Sequence, residues 1–383
     1  MTAKAPVRAE APAQSLARGA AGTALLAVEQ ALNGAGSWDR AHAAITTAFA
    51  SPVDTGTGTG LFYGAPAMAF VLHVSRSDGR PRYEAAYREL IGHTAEATGH
   101  RLTRAGSQGA RQPAGSFREF DLFYGLTGLG ALLLRADPGN RALTGVLRHI
   151  AALAEPLVVD GVEVPGWWAA HDPDRLAPTP GGHANLGMAH GTCILALLSL
   201  AARQGRVVPG QLAAIGWLRD FLAHWRQDSP DGPWWPQWLT LDDLRSGTTS
   251  QRAAGRPSWC YGVPGIARAL QLAASAVGDS AGQADAEHAL AACLSPSQLA
   301  RLADPGLCHG IAGLYMTVLR AAQDATTPEI GQRLPAVAEL LAAHTHRTDE
   351  TGLLTGAAGV RLALEAARNG TPQSEWDACL LIT

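Results

Sequence analysis

The sequence is poor in the features that announce many functions. Lys4 is its single lysine among 30 basic residues, and charged residues make up only 16% of the chain. With 33 acidic residues the formal charge is −3, so no basic surface for nucleic acid is expected. Cysteine is scarce: five residues, at 193, 260, 293, 308 and 379, are too few and too odd in number for a disulfide framework. In a reducing compartment they are core residues or ligands. No apolar run reaches the ~18 residues of a membrane-spanning helix. Met1 to Arg18 carries Lys4, Arg8 and Glu10 among alanines, without the apolar stretch of a secretory signal, so a cytoplasmic location is expected. There is no G-x-x-x-x-G-K-[ST], no G-x-G-x-x-G after a strand and no G-x-S-x-G, which leaves nucleotide cofactors and serine hydrolysis without support. Strand-like pattern is confined to short pieces such as Val158–Val164.

What the chain has is apolar residues, 47% of it, arranged in a repeat. A Gly-x-x-small pattern opens helix-period apolar runs at Gly19, Gly64, Gly125, Gly191, Gly262, Gly310 and Gly356. Between these seven copies lie amphipathic stretches: Trp38–Ala50, Glu84–Thr98, Arg141–Ala154, Gln211–Trp225, Gln283–Leu294 and Gln332–Thr345. Each unit reads as a hairpin of one apolar and one amphipathic helix. Repeat starts are separated by 45, 61, 66, 71, 48 and 46 residues. A bare hairpin of two ~14-residue helices and two loops needs about 45, so three intervals carry inserts. Long loops are expected around Arg101–Phe120, Glu155–Met188 and Gln227–Trp259. The apolar helices must be inside and the amphipathic ones outside, giving an all-α fold, an α/α toroid of seven inner and six to seven outer helices. An open solenoid of the same hairpins is the alternative, because sequence does not show closure. Small-residue periodicity runs from Gly19 to Ala366 with no linker, so residues 1–383 are read as a single domain.

Polar residues stand in one phase just before the repeat glycines: Asp121, His190, Cys260, Tyr261, Cys308 and His309. If the inner helices run the same way, these side chains share one mouth, and the three inserts lead into it. Cys260, Cys308 and His309 form a zinc set: two thiolates and an imidazole are common tetrahedral ligands, and three of them leave one position open. His190 is either a fourth ligand or, the preferred reading, a general acid or base. Asp121 orients that imidazole, holds a substrate group, or caps the helix beginning near Leu122. Arg256, four residues before Cys260, is a surface cation or, turned inward, a partner for an anion at the metal. Tyr261 is a further candidate, with packing against the ring as its alternative. Cys193, Cys293 and Cys379 are read as buried core residues. His171, His183, His344 and His346 are read as structural or exposed, and Trp167, Trp168, Trp234, Trp235 and Trp238 as anchors of the long loops.

These residues carry a resemblance to the lanthionine synthetase C family, the lanthipeptide cyclases. The matching pieces are Asp121-Leu-Phe-Tyr-Gly-Leu-Thr-Gly, Asn185-Leu-Gly-Met-Ala-His190-Gly, Arg256-Pro-Ser-Trp-Cys260-Tyr-Gly, Leu307-Cys308-His309-Gly-Ile-Ala-Gly and a Trp376-Asp-Ala ending, in the family's order. The resemblance implies an α/α toroid with one catalytic Zn2+ held at Cys260, Cys308 and His309, and polar partners at Asp121, His190, Arg256 and Tyr261. It implies that peptide Cys thiols add to dehydroalanine or dehydrobutyrine, closing lanthionine or methyllanthionine rings in a lantibiotic precursor. The partners it implies are a dehydrated precursor peptide with its leader, a separate dehydratase and an export transporter, with any membrane contact peripheral. Two positions depart from the pattern: Ile194 follows Gly191, and Ala67 follows Gly64, where a second Gly is usual. No insert is recognisable as a separate leader-binding module, and the length resembles the stand-alone cyclases. Three other readings remain: a related enzyme adding glutathione or another small thiol to dehydrated protein, zinc-dependent prenyl transfer, and a non-catalytic zinc-stabilised peptide scaffold. Prenyl transfer needs a diphosphate site, and the sequence has no basic cluster to make one.

Overall fold

The computed structural model describes residues 12–106, 112–174, 176, 178–344 and 351–383. Fifteen helices alternate along most of the chain as the repeat predicts. They are α1 (Ala20–Leu32) and α2 (Trp38–Ala48), α3 (Ala65–Val74) and α4 (Glu84–Gly106), α5 (Leu126–Ala136) and α6 (Arg141–Ala152), then α7 (Cys193–Arg203) and α8 (Gln211–His224). The short α9 (Leu241–Ser246) precedes α10 (Val263–Val277) and α11 (Ser280–Ala292). After the short α12 (Pro296–Leu299) come α13 (Ile311–Asp324), α14 (Glu329–Ala343) and α15 (Ala357–Asn369). The seven apolar helices α1, α3, α5, α7, α10, α13 and α15 are inner; residues 65–72 of α3 and 311–319 of α13 are buried without a break. The outer helices bury one stripe: α6 hides Leu143, Val146, Leu147 and Ile150, at helical spacing, and leaves Arg141 and Arg148 in solvent.

Six of the repeat glycines are the N-caps of inner helices, and the seventh, Gly191, precedes the N-cap Thr192. The second small residue of the motif answers to space. A Cβ on Gly313 would overlap the Leu307 carbonyl oxygen, and one on Gly265 the Trp259 carbonyl oxygen, so those helices pack directly on the segment leading into them.

The ring closes. Each inner helix contacts the next, and α15 contacts α1. The residues leading into the helices are joined by a circle of backbone hydrogen bonds. Leu16 N–H donates to Phe62, Phe62 to Phe123, Leu122 to Ala189, Ala189 to Cys260, Cys260 to Cys308, Cys308 to Leu354, and Leu354 to Ala17, at 3.0–3.3 Å. Seven helices linked at their N-terminal ends must run the same way, so the fold is an α/α toroid with all seven N-termini at one mouth, and the open solenoid is excluded.

Among the described residues the outer layer has six helices, the lower of the expected numbers. In place of a seventh, the chain after α15 forms a 3-10 turn, Trp376–Leu380, whose residues enter the ring and are buried together with Leu381 and Ile382. Arg320 pairs with Asp377, Arg268 Nε donates to the Ile382 carbonyl at 2.9 Å, and Trp259 Nε1 donates to the Leu380 carbonyl at 3.1 Å. Helix α4 runs to Gly106, further than its apolar stripe indicated, which shortens the first insert. The other two inserts are knit together over the mouth: β1 (Leu157–Val159) pairs with β2 (Val162–Val164), and β3 (Ala184–Asn185) pairs across inserts with β4 (Trp238–Leu239). Single bridges tie Ala114 to Ala169 and Ala169 to His183. Among the described residues no helix is long and apolar enough to cross a membrane.

Candidate metal centre and acid-base pair

The hydrogen-bonded circle positions the candidate ligands. The residue two before each repeat glycine faces its counterpart in the next repeat, and Cys260 and Cys308 occupy consecutive places, with Cys260 N–H bonded to the Cys308 carbonyl. His309 follows at the rim. The ligand atoms of Cys260, Cys308 and His309 lie within 4.8 Å of one another, and no other His, Cys, Asp or Glu among the described residues joins them. His190 is therefore not a fourth member. Two soft thiols and one imidazole at this spacing fit zinc, and three donors leave a coordination position for a substrate. The set is already polarised: a hydrogen bond from the Cys308 thiol, helped by His309, holds the Cys260 thiol well below its ordinary range despite burial. The same bond, now with Cys308 as donor beside an anion, pushes the Cys308 thiol up, and the hydrogen bond to Cys260 raises His309. His309 Nε2 lies 3.3 Å from Asp304 Oδ2.

One place along the circle stands the second pair. His190 Nδ1 is 2.8 Å from Asp121 Oδ2, and Asp121 is fully buried. The other carboxylate oxygen accepts the N–H groups of Tyr124 and Gly125, each at 2.8 Å. Asp121 thus orients the imidazole and ties down the turn that leads into α5, but it is not the N-cap of that helix, which begins at Leu126 behind Gly125, later than the expected Leu122. An ionised Asp121 accepts a hydrogen bond from Nδ1–H, so the Nε2 lone pair of neutral His190 is left for other chemistry. Phe117 covers the ring, with centroids 4.2 Å apart and planes inclined by 30°, and Phe123 flanks it at 5.3 Å.

Tyr261 stands between the two groups, 5.9 Å from the His190 ring and adjacent in sequence to Cys260. Its hydroxyl accepts from Asn185 Nδ2 at 3.1 Å, and burial holds the phenol well above its ordinary range. Arg256 is exposed, and its charge acts on both Cys308 and His309, which puts a cation beside the thiols.

Cys193, Cys293 and Cys379 are buried, as read from sequence, and burial pushes the Cys293 thiol up to about 12. Trp235 anchors its loop through a bond from Nε1 to the Leu222 carbonyl, and Trp167 through one to the Asn185 carbonyl. His344 ends α14 as expected, and His346 lies outside the described residues. Of the two alternatives read for His183, structural or exposed, the structure selects the first: it is fully buried, and burial holds its pKa at about 4. His171 sits beside it and accepts the Phe117 N–H on Nε2 at 3.2 Å. These two and Phe117 are site residues that sequence reasoning missed, because the inserts occur once and offer no repeat phase to read; Asp304, six residues before Gly310, was missed because it stands outside the phase just before the repeat glycines. The absence of a basic cluster holds along the chain but not in space: Arg101, Arg104, Arg118 and His149 line one cavity of about 410 Å³. Two of those arginines brace the first insert, Arg101 on the Tyr124 and Thr57 carbonyls and Arg118 over the Tyr124 ring.

Comparison with known proteins identifies the family and the fold. Residues 12–381 match the family described as lanthionine synthetase C-like protein. No curated protein matches the sequence. Among solved structures, nisin cyclase superposes with a TM-score of 0.83 at 18% identity, covering 98% of this chain and 93% of that one. An inactive alpha-1,6-mannanase variant of Salegentibacter has a TM-score of 0.47 at 14% identity, covering 94% and 99% of the two chains. The unsaturated glucuronyl hydrolase of a Bacillus species has a TM-score of 0.44 at 16%, covering 94% of each.

Proposed function

Because the chain belongs to the lanthionine synthetase C-like family, we propose that it is a lanthipeptide cyclase, joining peptide Cys thiols to dehydroalanine or dehydrobutyrine in the same precursor. The observation that carries this reading is the pairing at one mouth of a three-donor set, Cys260, Cys308 and His309, with a carboxylate-oriented imidazole, His190. When bound at that set, zinc supplies acidification of the incoming peptide thiol, whose free pKa is near ~8.5. The other residues handle the proton and the charge. His190, its Nδ1 proton committed to Asp121, accepts the thiol proton on Nε2 as sulfur bonds to the β-carbon. The displaced π electrons pass to the carbonyl as an enolate, for which Arg256 is the nearby cation. His190 then returns its proton to the α-carbon. The thiol S–H has been added across the double bond, and nothing else is consumed. Holding thiol and alkene at one mouth supplies proximity and favours one ring over its competitors. A separate dehydratase supplies the substrate, and the same reading keeps the enzyme in the cytoplasm, with any contact with an exporter peripheral.

The test is zinc stoichiometry of wild type and Cys308→Ala, together with mass spectrometry of free thiols in a dehydrated, Cys-containing peptide. One zinc per chain, lost in the variant together with thiol consumption at unchanged peptide mass, is expected. Zinc present with the peptide thiols untouched would favour small-thiol addition or a binding scaffold. Absence of zinc from the wild type would overturn the ligand assignment.

A further inference from the structure

Resting on the cyclase reading, we infer that buried His183 and Asn185 are positioning residues that force the Tyr261 hydroxyl to donate its hydrogen bond into the mouth, to the substrate oxygen on which enolate charge develops. The argument is one of counting protons. His183 Nδ1 lies 2.7 Å from the His171 carbonyl oxygen, which can only accept, so Nδ1 carries the hydrogen and Nε2 of the neutral ring is an acceptor. Asn185 Oδ1 accepts the Gly187 N–H at 3.0 Å, which fixes the amide so that Nδ2 faces the other way. The two Nδ2 hydrogens then meet His183 Nε2 at 3.5 Å and the Tyr261 hydroxyl at 3.1 Å. Tyr261 receives from Asn185, and no described residue accepts its own proton.

The relay is held rigidly. Asn185 is 1% exposed and His183 is fully buried. His183 exchanges two backbone bonds with Ala169, and Asn185 pairs with Trp238 across the inserts. Gly187 leaves no room for adjustment: a Cβ there would overlap the Cys260 carbonyl oxygen and stand 2.8 Å from the Tyr261 ring. With its oxygen acting as an acceptor inside the wall, Tyr261 is a preorganised donor. His190, one place along the circle, is left to move the proton.

Asn185→Asp separates this role from a structural one. The substitution is isosteric and keeps the acceptor for Gly187, but its second oxygen accepts the Tyr261 proton and turns the hydroxyl into the wall. We expect kcat for ring closure to fall about 100-fold, as when an oxyanion donor is lost, with KM nearly unchanged. Asn185→Ala, which offers no competing acceptor, should lose less than Asn185→Asp; a packing role predicts the reverse order. Asn185→Asp combined with Tyr261→Phe should lose no more than Tyr261→Phe alone. The Raman ring doublet of Tyr261, isolated by subtracting the Tyr261→Phe spectrum, should report an acceptor in wild type and a donor in Asn185→Asp. An unchanged doublet, multiplying losses in the double variant, or Asn185→Ala worse than Asn185→Asp overturns the inference. If wild type closes no ring in any dehydrated peptide, the cyclase reading fails, and the doublet alone decides the relay.

Discussion

Replacing Asp121 by Asn alters one of the three hydrogen bonds its carboxylate makes. The amide oxygen can keep the Tyr124 and Gly125 N–H groups, both now at 2.8 Å from Oδ1. The amide nitrogen must then occupy the place of Oδ2, 2.8 Å from His190 Nδ1. Two N–H groups cannot face each other, so the imidazole changes tautomer and presents Nε2–H to the mouth in place of a lone pair. A base in the wrong tautomer costs about 10³–10⁴-fold in kcat, or ~4–5.5 kcal/mol of barrier. The stability cost is smaller: one charge-assisted bond, about 2 kcal/mol, or a few degrees in Tm. Asp121→Ala removes the bonds to the Tyr124 and Gly125 N–H groups as well and should lose at least about a further 1 kcal/mol of stability at nearly the same activity. Ring closure followed by alkylation of residual thiols and mass spectrometry gives kcat, and calorimetry gives Tm. If Asp121→Asn retains kcat within about threefold of wild type while holding its metal, His190 is not the proton carrier.

Other outcomes follow from single contacts. Asp304→Asn weakens the partner of His309 Nε2, and zinc affinity in competition with a chelator should fall about tenfold or more. His183 is held at about 4 against an ordinary 6.5. The unfolded chain therefore takes up its proton first, and stability present above pH 6.5 is lost as pH falls towards 4, by about 3 kcal/mol for this group. Tm recorded against pH should show that slope, and His183→Gln should flatten it. Gly313→Ala drives a methyl into the Leu307 carbonyl, next to Cys308, and should cost at least about 1–3 kcal/mol of stability. Normal Tm and zinc content in that variant would refute the close-contact account of the second glycine.

The periodic part of the molecule was legible, and the reason is physical. An inner helix must be apolar around its circumference and must start on residues small enough to lie against a backbone, so the sequence repeats itself wherever the ring does. That phase was enough to gather Cys260, Cys308, His309, His190 and Asp121. It marked the helix ends less well: polar residues extend α4 to Gly106 because nothing before Gly106 stops it. Closure was hidden, since the bonds that make it join backbone atoms and carry no residue signature. The inserts were hidden for a different reason. His183 reads as a loop histidine among Gly and Pro, and its burial depends on a pairing between residues 184–185 and 238–239 that no local pattern announces.

The backbone circle at the mouth gives every repeat the same address, and this makes the location of the donor set a property of sequence, not of fold. Five of the seven neighbouring addresses are bridged by the same N–H to carbonyl link that joins Cys260 to Cys308. Cys308 has a neighbour on its other side, Leu354, reached by the same kind of bond at 3.0 Å. A chain carrying Cys260→Ala and Leu354→Cys would shift the thiol pair by one seventh of a turn, away from Tyr261 and His190, without asking the helices to move. The circle is thus a dial on which a donor set can be placed, and the present setting is the one that puts Cys260 beside Tyr261 and one place from His190.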